Sequence, residues 1–503
     1  MSTECEPFEE GSPGLVKETS GVSWTPLFRR KCGFGRAEFF KVMGNLIRNP
    51  NINSSWLSRA DILSENDSAT TEPEPTQHTA SGAPTPSPIV LHFEDFHLDR
   101  LLVRRLIPRN PQRDSPLDQT CLTYHSGGAS EQVSSCSMIV YKPHVAAYSD
   151  IPFYHPKVRA LAFLHQWDSE KDEGTVSIHY DFFDDYKPNT KLVRTALHLL
   201  STLYKHGQGA KSGYVKRVHH DTIIPQATVQ STYTRLKTKY ARKLINNWVE
   251  VTDPTKHCFE DLGIAAFLIE LWAQMYRDRP FPGFVDIGCG NGLLVYILRQ
   301  EGYAGWGFDA RRRKSWDNFA HKTERASGEE PESSLRQLVL LPSLLLDHKK
   351  QAIDEAGVGD QYHDGLFPEG TFIISNHADE LTPWTPILAT ISKCPFISIP
   401  CCSHNLSGAK FRATAPKEKG KSASAYSSLV EWVKQIAGDC GWEVETEMLR
   451  IPSTRNTGII GRKRLDEQDG VDSDIPAILS KYGGTNGYVE NAIKLMKNAP
   501  RGH

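Results

Sequence analysis

No apolar run in this chain approaches the ~20 residues needed to cross a bilayer, which leaves no candidate for a membrane-spanning helix. The N-terminal stretch "MSTECEPFEEGSPG" is acidic and polar and has none of the apolar core of a signal peptide, so a soluble, unsecreted protein is expected. Cysteine pattern is also missing. The ten cysteines stand singly except at Cys401-Cys402, and no CxxC pair occurs, which argues against a disulfide framework and against a zinc ribbon. Reduced thiols in a cytosolic or nuclear setting fit that usage. Nor is there an excess of charge: 58 Lys plus Arg face 60 Asp plus Glu, so the chain is no polycation built to coat nucleic acid, and any polyanion site must be local. A phosphate loop, GxxxxGK followed by Ser or Thr, is absent from the glycine-rich turn at 288–292, excluding that kind of nucleotide site there.

What is present suffices for more than one core: 503 residues, 39% of them hydrophobic. Residues 1–63 carry aromatics that could pack on something and read as an ordered arm. Residues 64–88 are rich in Ser, Thr, Pro and Glu and almost devoid of large apolar side chains, so they read as a disordered linker. Runs such as "SCSMIVYKPHV", "VRALAFLHQW" and "GTVSIHYDFF", followed by a helical stripe of Leu192, Ala196, Leu199, Leu200 and Leu203, make 89–204 a small α+β domain.

Between 205 and 245 nine cations (among them Lys216, Arg217, Arg235, Lys239 and Arg242) face one acid, Asp221. Tyr233, Leu236, Tyr240, Leu244 and Trp248 form an apolar stripe on one helix face, and Arg235, Lys239, Arg242 and Lys243 fall largely opposite. Composition alone leaves two readings of 205–250 open, a solvated face and a phosphate-binding surface.

From 251 to 465 the pattern changes. Asp253-Pro254 caps a helix that is apolar on most of its circumference and must therefore be buried. "PFPGFVDIGCGNGLLVYILRQEGYAGWGFDARRRKSW" then reads as a strand over 283–287, a glycine turn, a helix over 293–300, Gly302 as a stop, and a strand ending at Asp309. This is the first half of a doubly wound, Rossmann-like α/β domain, whose ligand sits beyond the carboxyl ends of the strands. Gly288, Gly290 and Gly292 give GxGxG, one residue short of the GxGxxG dinucleotide fingerprint. Asp286, at the strand end, would repel a pyrophosphate but suits a ligand bearing ammonium and sulfonium groups. S-adenosylmethionine is thus favoured over NAD. Asp309 can bind ribose hydroxyls in either case.

Later strands end in polar residues. "GTFIISNHADELTPW" delivers His377, Asp379 and Glu380 to the expected site, where a weak hydroxyl nucleophile needs a base; a purely structural role for His377, or a helix-start role for either acid, remains open. Cys401, Cys402 and His404 have poor chelate spacing, so no metal is expected. Arg311, Arg312, Arg313 and Lys314 follow Asp309 directly and suit a polyanionic substrate. "WEVETEMLR" with "NTGIIGRKR" closes the sheet as a hairpin, and 466–503 reads as a tail.

Together "FVDIGCGNGLLVYIL", "GFDARRRKSW", "SNHADELTPW" and "IPCCSHNLSGAKF" resemble the fungal and animal tRNA (uracil-2′-O-)-methyltransferase family, as do "GYVKRVHHD" and "YARKLINNWVEVTDPTKHCFEDLGIAAFLIELW". The likeness spans about Gly213 to Arg464. It implies a class I methyltransferase domain with an N-terminal α+β extension, S-adenosylmethionine as methyl donor, a cytoplasmic setting, and serine tRNA methylated on a uridine ribose at the edge of the variable arm. At matching positions it implies that Asp286, Gly288, Gly290, Gly292 and Asp309 line the cofactor site, and it strengthens the RNA reading of the basic segment. A methyltransferase of another acceptor, or a non-catalytic RNA-binding relative, are the competing expectations.

Overall fold

Alternating apolar residues between 97 and 181 make long antiparallel strands, and a strand pair left alone would expose rows of unpaired N–H and C=O groups. The computed structural model describes residues 5–67, 86–110, 113–126, 134–183, 189–213, 220–323, 332–346, 358–414, 424–465 and 474–497. The chain divides into two units, Met1–Lys216 and Arg217–His503.

In the first unit, strands β1 (Glu6–Pro7), β2 (Thr25–Cys32), β3 (Leu57–Asp67), β4 (His97–Pro108), β5 (Leu117–His125), β6 (Ser134–Pro143), β7 (Ala160–Asp168) and β8 (Glu173–Asp181) form one sheet. Their order is β1-β2-β8-β7-β6-β5-β4-β3. Helices α1 (Arg36–Arg48) and α2 (Thr190–Lys211) contribute Phe39, Met43, Leu192, Ala196, Leu200 and Leu203 to a core shared with Phe163, Val176 and Ile178 of the sheet. Gly207 is needed inside α2, because a Cβ there would stand 2.4 Å from the Phe34 ring.

Two expectations are corrected here. Residues 1–63 are not a separate arm: β2 pairs with β8 from Thr25↔Tyr180 to Cys32↔Gly174, and β3 pairs with β4. The partner of β2 lies about 150 residues away in sequence, and local pattern carries no trace of so distant a pairing. Strand β3 also runs through Asp67, into the stretch read as a linker, with Ser64 opposite Val103 and Glu65 opposite Leu102. Residues 68–85 of that linker lie outside the described residues.

In the second unit, helices α3 (Gln226–Asn246) and α4 (Pro254–Met275) precede a sheet built of β9 (Phe284–Ile287), β10 (Gly305–Asp309), β11 (Leu335–Gln337), β12 (Phe372–Asn376), β13 (Phe396–Ile399), β14 (Trp442–Met448) and β15 (Thr457–Arg464). The order is β11-β10-β9-β12-β13-β15-β14. The first five strands run parallel and β15 is antiparallel to both neighbours. β9 is buried along its whole length, as an inner strand of a two-sided α/β sheet must be. Asp253 caps α4 by accepting from Thr255 N at 2.8 Å, and α4 buries thirteen residues, against α3 and α5 (Leu293–Gln300) on one face of the sheet. Helix α6 (Ala425–Asp439) covers the other face with Leu429, Val433 and Ile436.

The tail expected over 466–503 also proves structural where it is described. α7 (Ile475–Lys481) and α8 (Tyr488–Lys497) bury Ile475, Ile478, Tyr488, Val489, Ala492 and Ile493 in the core that holds Val285, Ile287 and Trp384. The basic segment is shared between the units: Lys205 and Lys211 end α2 in the first, whereas α3 belongs to the second. Lys216 and Arg217 lie outside the described residues.

Candidate active site

The carboxyl ends of β9, β10 and β12 open onto a cavity of about 510 Å³. Three glycines in the left-handed region (φ 75°, 52° and 76° at Gly288, Gly290 and Gly292) turn the chain from β9 into α5, a path that side chains with a Cβ adopt at a cost. Each has a separate reason. At Gly288 a Cβ would come 3.0 Å from that of Ala378, so glycine lets the loop after β12 lie against the turn. At Gly292 it would meet Leu335 at 2.5 Å, whereas at Gly290 nothing lies within 4 Å and the backbone is open to a ligand. Asp309 fixes the turn: Gly290 N donates to Oδ2 at 3.2 Å and Arg311 N to Oδ1 at 2.9 Å. Trp316 donates to the Gly290 carbonyl at 2.9 Å, and Ser315 Oγ to that of Asn291 at 2.8 Å.

Acid lines one side. Asp286 is 1% exposed, its Oδ1 has no hydrogen-bond partner among the described residues, and burial, then the charges of Asp261 and Asp309, push its carboxyl far up. Asp261, on α4, is pushed up to about 8 by burial and by Glu260, against a hydrogen bond from Asn376 at 3.4 Å. Two buried carboxyls pushed towards their neutral form beside an open glycine turn suit a cationic ligand, whose charge would favour the ionised form. This donor set fits S-adenosylmethionine, whose ammonium and sulfonium charges would meet Asp286 and Asp261, and whose ribose would meet Asp309.

The loop after β12 forms the opposite wall. His377 and Asp379 both have left-handed backbones (φ 53° and 42°), a strain tolerated where a site holds the conformation in place. His377 N donates to Ile399 O at 3.1 Å, and its Nε2 meets Glu260 Oε1 at 3.1 Å. Burial pushes Glu260 up, but the hydrogen bond and charge of His377, with Lys256 and His257, outweigh it and leave the carboxyl lowered. Asp379 accepts from Cys401 Sγ at 3.0 Å, and Glu380 lies 3.7 Å from His404 Nε2. Donor atoms of Asp379, Cys401 and Cys402 fall within 4.8 Å of one another, a grouping that the sequence spacing of the cysteines does not suggest. Arg455 donates to Cys402 Sγ at 3.5 Å and to the Cys401 carbonyl, so a guanidinium already stands against these sulfurs.

The structure therefore brings Asp286, Gly288, Gly290, Asp309, Arg311, Arg313, His377, Asp379 and Glu380 to one cavity. Gly292 packs beneath it. Arg312 turns away to Asp317 at 2.5 Å, and Lys314 is exposed outside the lining. On α3, Arg235 and Lys239 pair with Glu301 at 2.5 and 2.9 Å, which ties α3 to the end of α5; Arg242 is exposed. Sequence reading passed over Glu260 and Asp261, whose signal was two acids inside an otherwise apolar helix, and over Arg455, Tyr488 and Asn491, which reach the cavity from the hairpin and the C-terminal helix.

Comparison with known proteins adds the family. Residues 4–217 match the model of a TRM44-like, N-terminal bet v1-like domain, and residues 223–330 match that of a predicted AdoMet-dependent methyltransferase. A tRNA (uracil-O(2)-)-methyltransferase of Neurospora crassa is 55% identical over 97% of this chain and 96% of its own length. The chain belongs to the tRNA (uracil-O(2)-)-methyltransferase family. Proteins of the same name from Debaryomyces hansenii and Yarrowia lipolytica are each 38% identical, over 97% and 98% of this chain and 98% of their own lengths. The family likeness thus extends through the first unit, for which the sequence offered no recognisable motif. A solved magnesium protoporphyrin IX methyltransferase from Synechocystis, with bound SAM, covers 49% of this chain and 98% of its own at 15% identity and TM-score 0.20, and adds nothing to the strand order. The family model and the acid-lined glycine turn make S-adenosylmethionine the cofactor.

Proposed function

We propose that this protein methylates the ribose 2′-OH of a uridine in tRNA, and that its substrate is serine tRNA at the edge of the variable arm. The observation that carries the reaction and the RNA class is the match of both units, over nearly the whole chain, to relatives that bear that name. The choice of serine tRNA rests on the resemblance of the motifs at 284–298, 307–316, 375–384 and 399–411. A cytoplasmic location is part of the same reading and agrees with ten cysteines of which none forms a disulfide.

The residues divide the work by charge. Asp286 and Asp261 hold the amino-acid end of the cofactor, Asp309 its ribose, and the open face of Gly290 lets the ligand approach the backbone. Bound S-adenosylmethionine supplies an activated methyl group. Arg311 and Arg313, on the cavity rim, take RNA phosphates, and His377 stands where a hydroxyl proton has to leave. The rest of the rate comes from orientation.

The test is transfer of labelled methyl from S-adenosylmethionine to unmodified total tRNA, followed by nucleoside analysis and separation of tRNA species. Label in 2′-O-methyluridine of serine tRNA is expected. Label in another tRNA would overturn only the choice of serine tRNA. Cofactor binding without labelled RNA would favour another acceptor, and absence of cofactor binding would favour a non-catalytic RNA-binding role.

A further inference from the structure

We infer that Glu260 and His377 form a proton-transfer dyad, in which Glu260 is the positioning residue and His377 Nδ1 takes the proton of the ribose hydroxyl; this rests on the 2′-O-methylation reading above. The two come from different elements that meet at the cavity, one from the second turn of α4 and one from the loop after β12, 117 residues apart in sequence. Glu260 Oε1 lies 3.1 Å from His377 Nε2, and its side chain is 9% exposed. With the carboxyl held low, the carboxylate accepts and Nε2 must donate, which fixes the imidazole tautomer. In the neutral imidazole the other nitrogen, Nδ1, is then a bare acceptor. It is buried, has no hydrogen-bond partner among the described residues, and belongs to a side chain lining the cavity.

Such an orphaned acceptor, on a side chain that lines a cofactor cavity, is costly unless a donor arrives with the ligand. A hydroxyl supplies that donor. In the reaction the hydroxyl oxygen forms its bond to the methyl carbon, the carbon–sulfur bond breaks with its electron pair left on sulfur, and the proton passes to Nδ1 and on to solvent. Glu260 stabilises the imidazolium while it exists. His377 is held for this by its left-handed backbone, by Ile399 O, and by the close approach of Ala378 to Gly288. Nothing in the sequence pairs these positions.

Two measurements on the full chain test the dyad. Nitrogen-15 NMR of the cofactor-bound protein without tRNA, assigned with His377→Asn, is expected to show His377 as the Nε2–H tautomer at pH 8, changing to a mixture in Glu260→Ala. An Nδ1–H tautomer in the unaltered protein would overturn the proposal, whatever the substrate proves to be. In single-turnover assays Glu260→Gln is expected to lower the rate of methyl transfer about 10- to 100-fold and His377→Asn about 100-fold or more, with S-adenosylmethionine affinity undiminished in both. A Glu260→Gln enzyme with undiminished rate would also overturn it. An unaltered protein that shows the Nε2–H tautomer but forms no 2′-O-methyluridine would place the failure in the proposed reaction instead.

Discussion

Asp309 accepts from the backbone N–H of Gly290 at 3.2 Å, so the acid ending the second strand of the second unit holds the glycine turn that follows the first. Its other oxygen is engaged by Arg311 N at 2.9 Å. One carboxylate thus sets the shape of the cofactor loop and the start of the arginine run. Removing it by Asp309→Ala releases both backbone donors, and hydrogen bonds to a charged group contribute about 1.5–3 kcal/mol each. S-adenosylmethionine affinity should fall about 10- to 100-fold by calorimetry. Asp309→Asn, which keeps one acceptor oxygen, should lose less. Equal binding by Asp309→Ala would remove Asp309 from the cofactor site.

The buried acids make cofactor binding and stability depend on pH. Asp261 is raised from 3.8 to about 8 and Asp286 is raised as well, so both hold protons in the folded chain at pH values where the unfolded chain has lost them. At these two groups the fold then binds more protons than the unfolded state, so their contribution to stability is full below about pH 4 and declines as pH rises towards 8. A cationic ligand favours the ionised carboxyls, so its binding should release protons. Calorimetry of S-adenosylmethionine in two buffers of different ionisation enthalpy should show release at pH 7, with affinity rising between pH 6 and 8. Asp261→Asn should flatten both profiles. A pH-independent affinity in the unaltered protein would contradict this account.

Much of this was legible in the sequence, for reasons that also mark where reading stops. The helix expected over 293–300 is α5, residue for residue, because Gly292 and Gly302 bracket a short amphipathic run. The stripe Leu192–Leu203 faces the core of the first unit for the same periodic reason. Arg235 and Lys239, by contrast, fit either a solvated face or a phosphate-binding surface by composition. Their partner Glu301 lies more than 60 residues on, and composition cannot register a carboxylate so far away. Glu260 was hidden similarly, since an acid in an apolar helix shows its purpose only when His377 is folded against it.

The glycines of the turn should separate by experiment. Gly292→Ala combines an unfavourable φ of 76° with a Cβ 2.5 Å from Leu335 Cδ1. The two effects together cost about 2–4 kcal/mol, enough to lower the melting temperature of the second unit clearly. Gly290→Ala meets nothing within 4 Å and bears only the backbone cost of about 1–2 kcal/mol, yet its methyl enters the space a ligand needs. A small thermal shift with loss of cofactor binding is expected for Gly290→Ala. If Gly292→Ala bound cofactor and melted normally while Gly290→Ala unfolded, the assignment of the two positions would be reversed.

Cations of the same sequence type should divide into two kinds. Arg311 and Arg313 line the cavity rim, and replacing both by Ala should weaken tRNA binding and reduce the slope of log affinity against log salt by about 1 for each phosphate that is no longer neutralised. Cofactor affinity should be nearly unchanged. Arg235 and Lys239 instead serve Glu301, whose side chain is 7% exposed. Burial pushes that carboxyl up, and the bonds from Tyr240, Lys239 and Arg235 bring it down again to a net lowering. Replacing Arg235 and Lys239 by Ala leaves Tyr240 as donor at 2.6 Å and should lower the melting temperature only slightly, because both cations are half exposed and screened. Filter binding and thermal melting of the two double variants decide the matter: a salt slope altered by the α3 pair, with stability intact, would return α3 to the RNA surface.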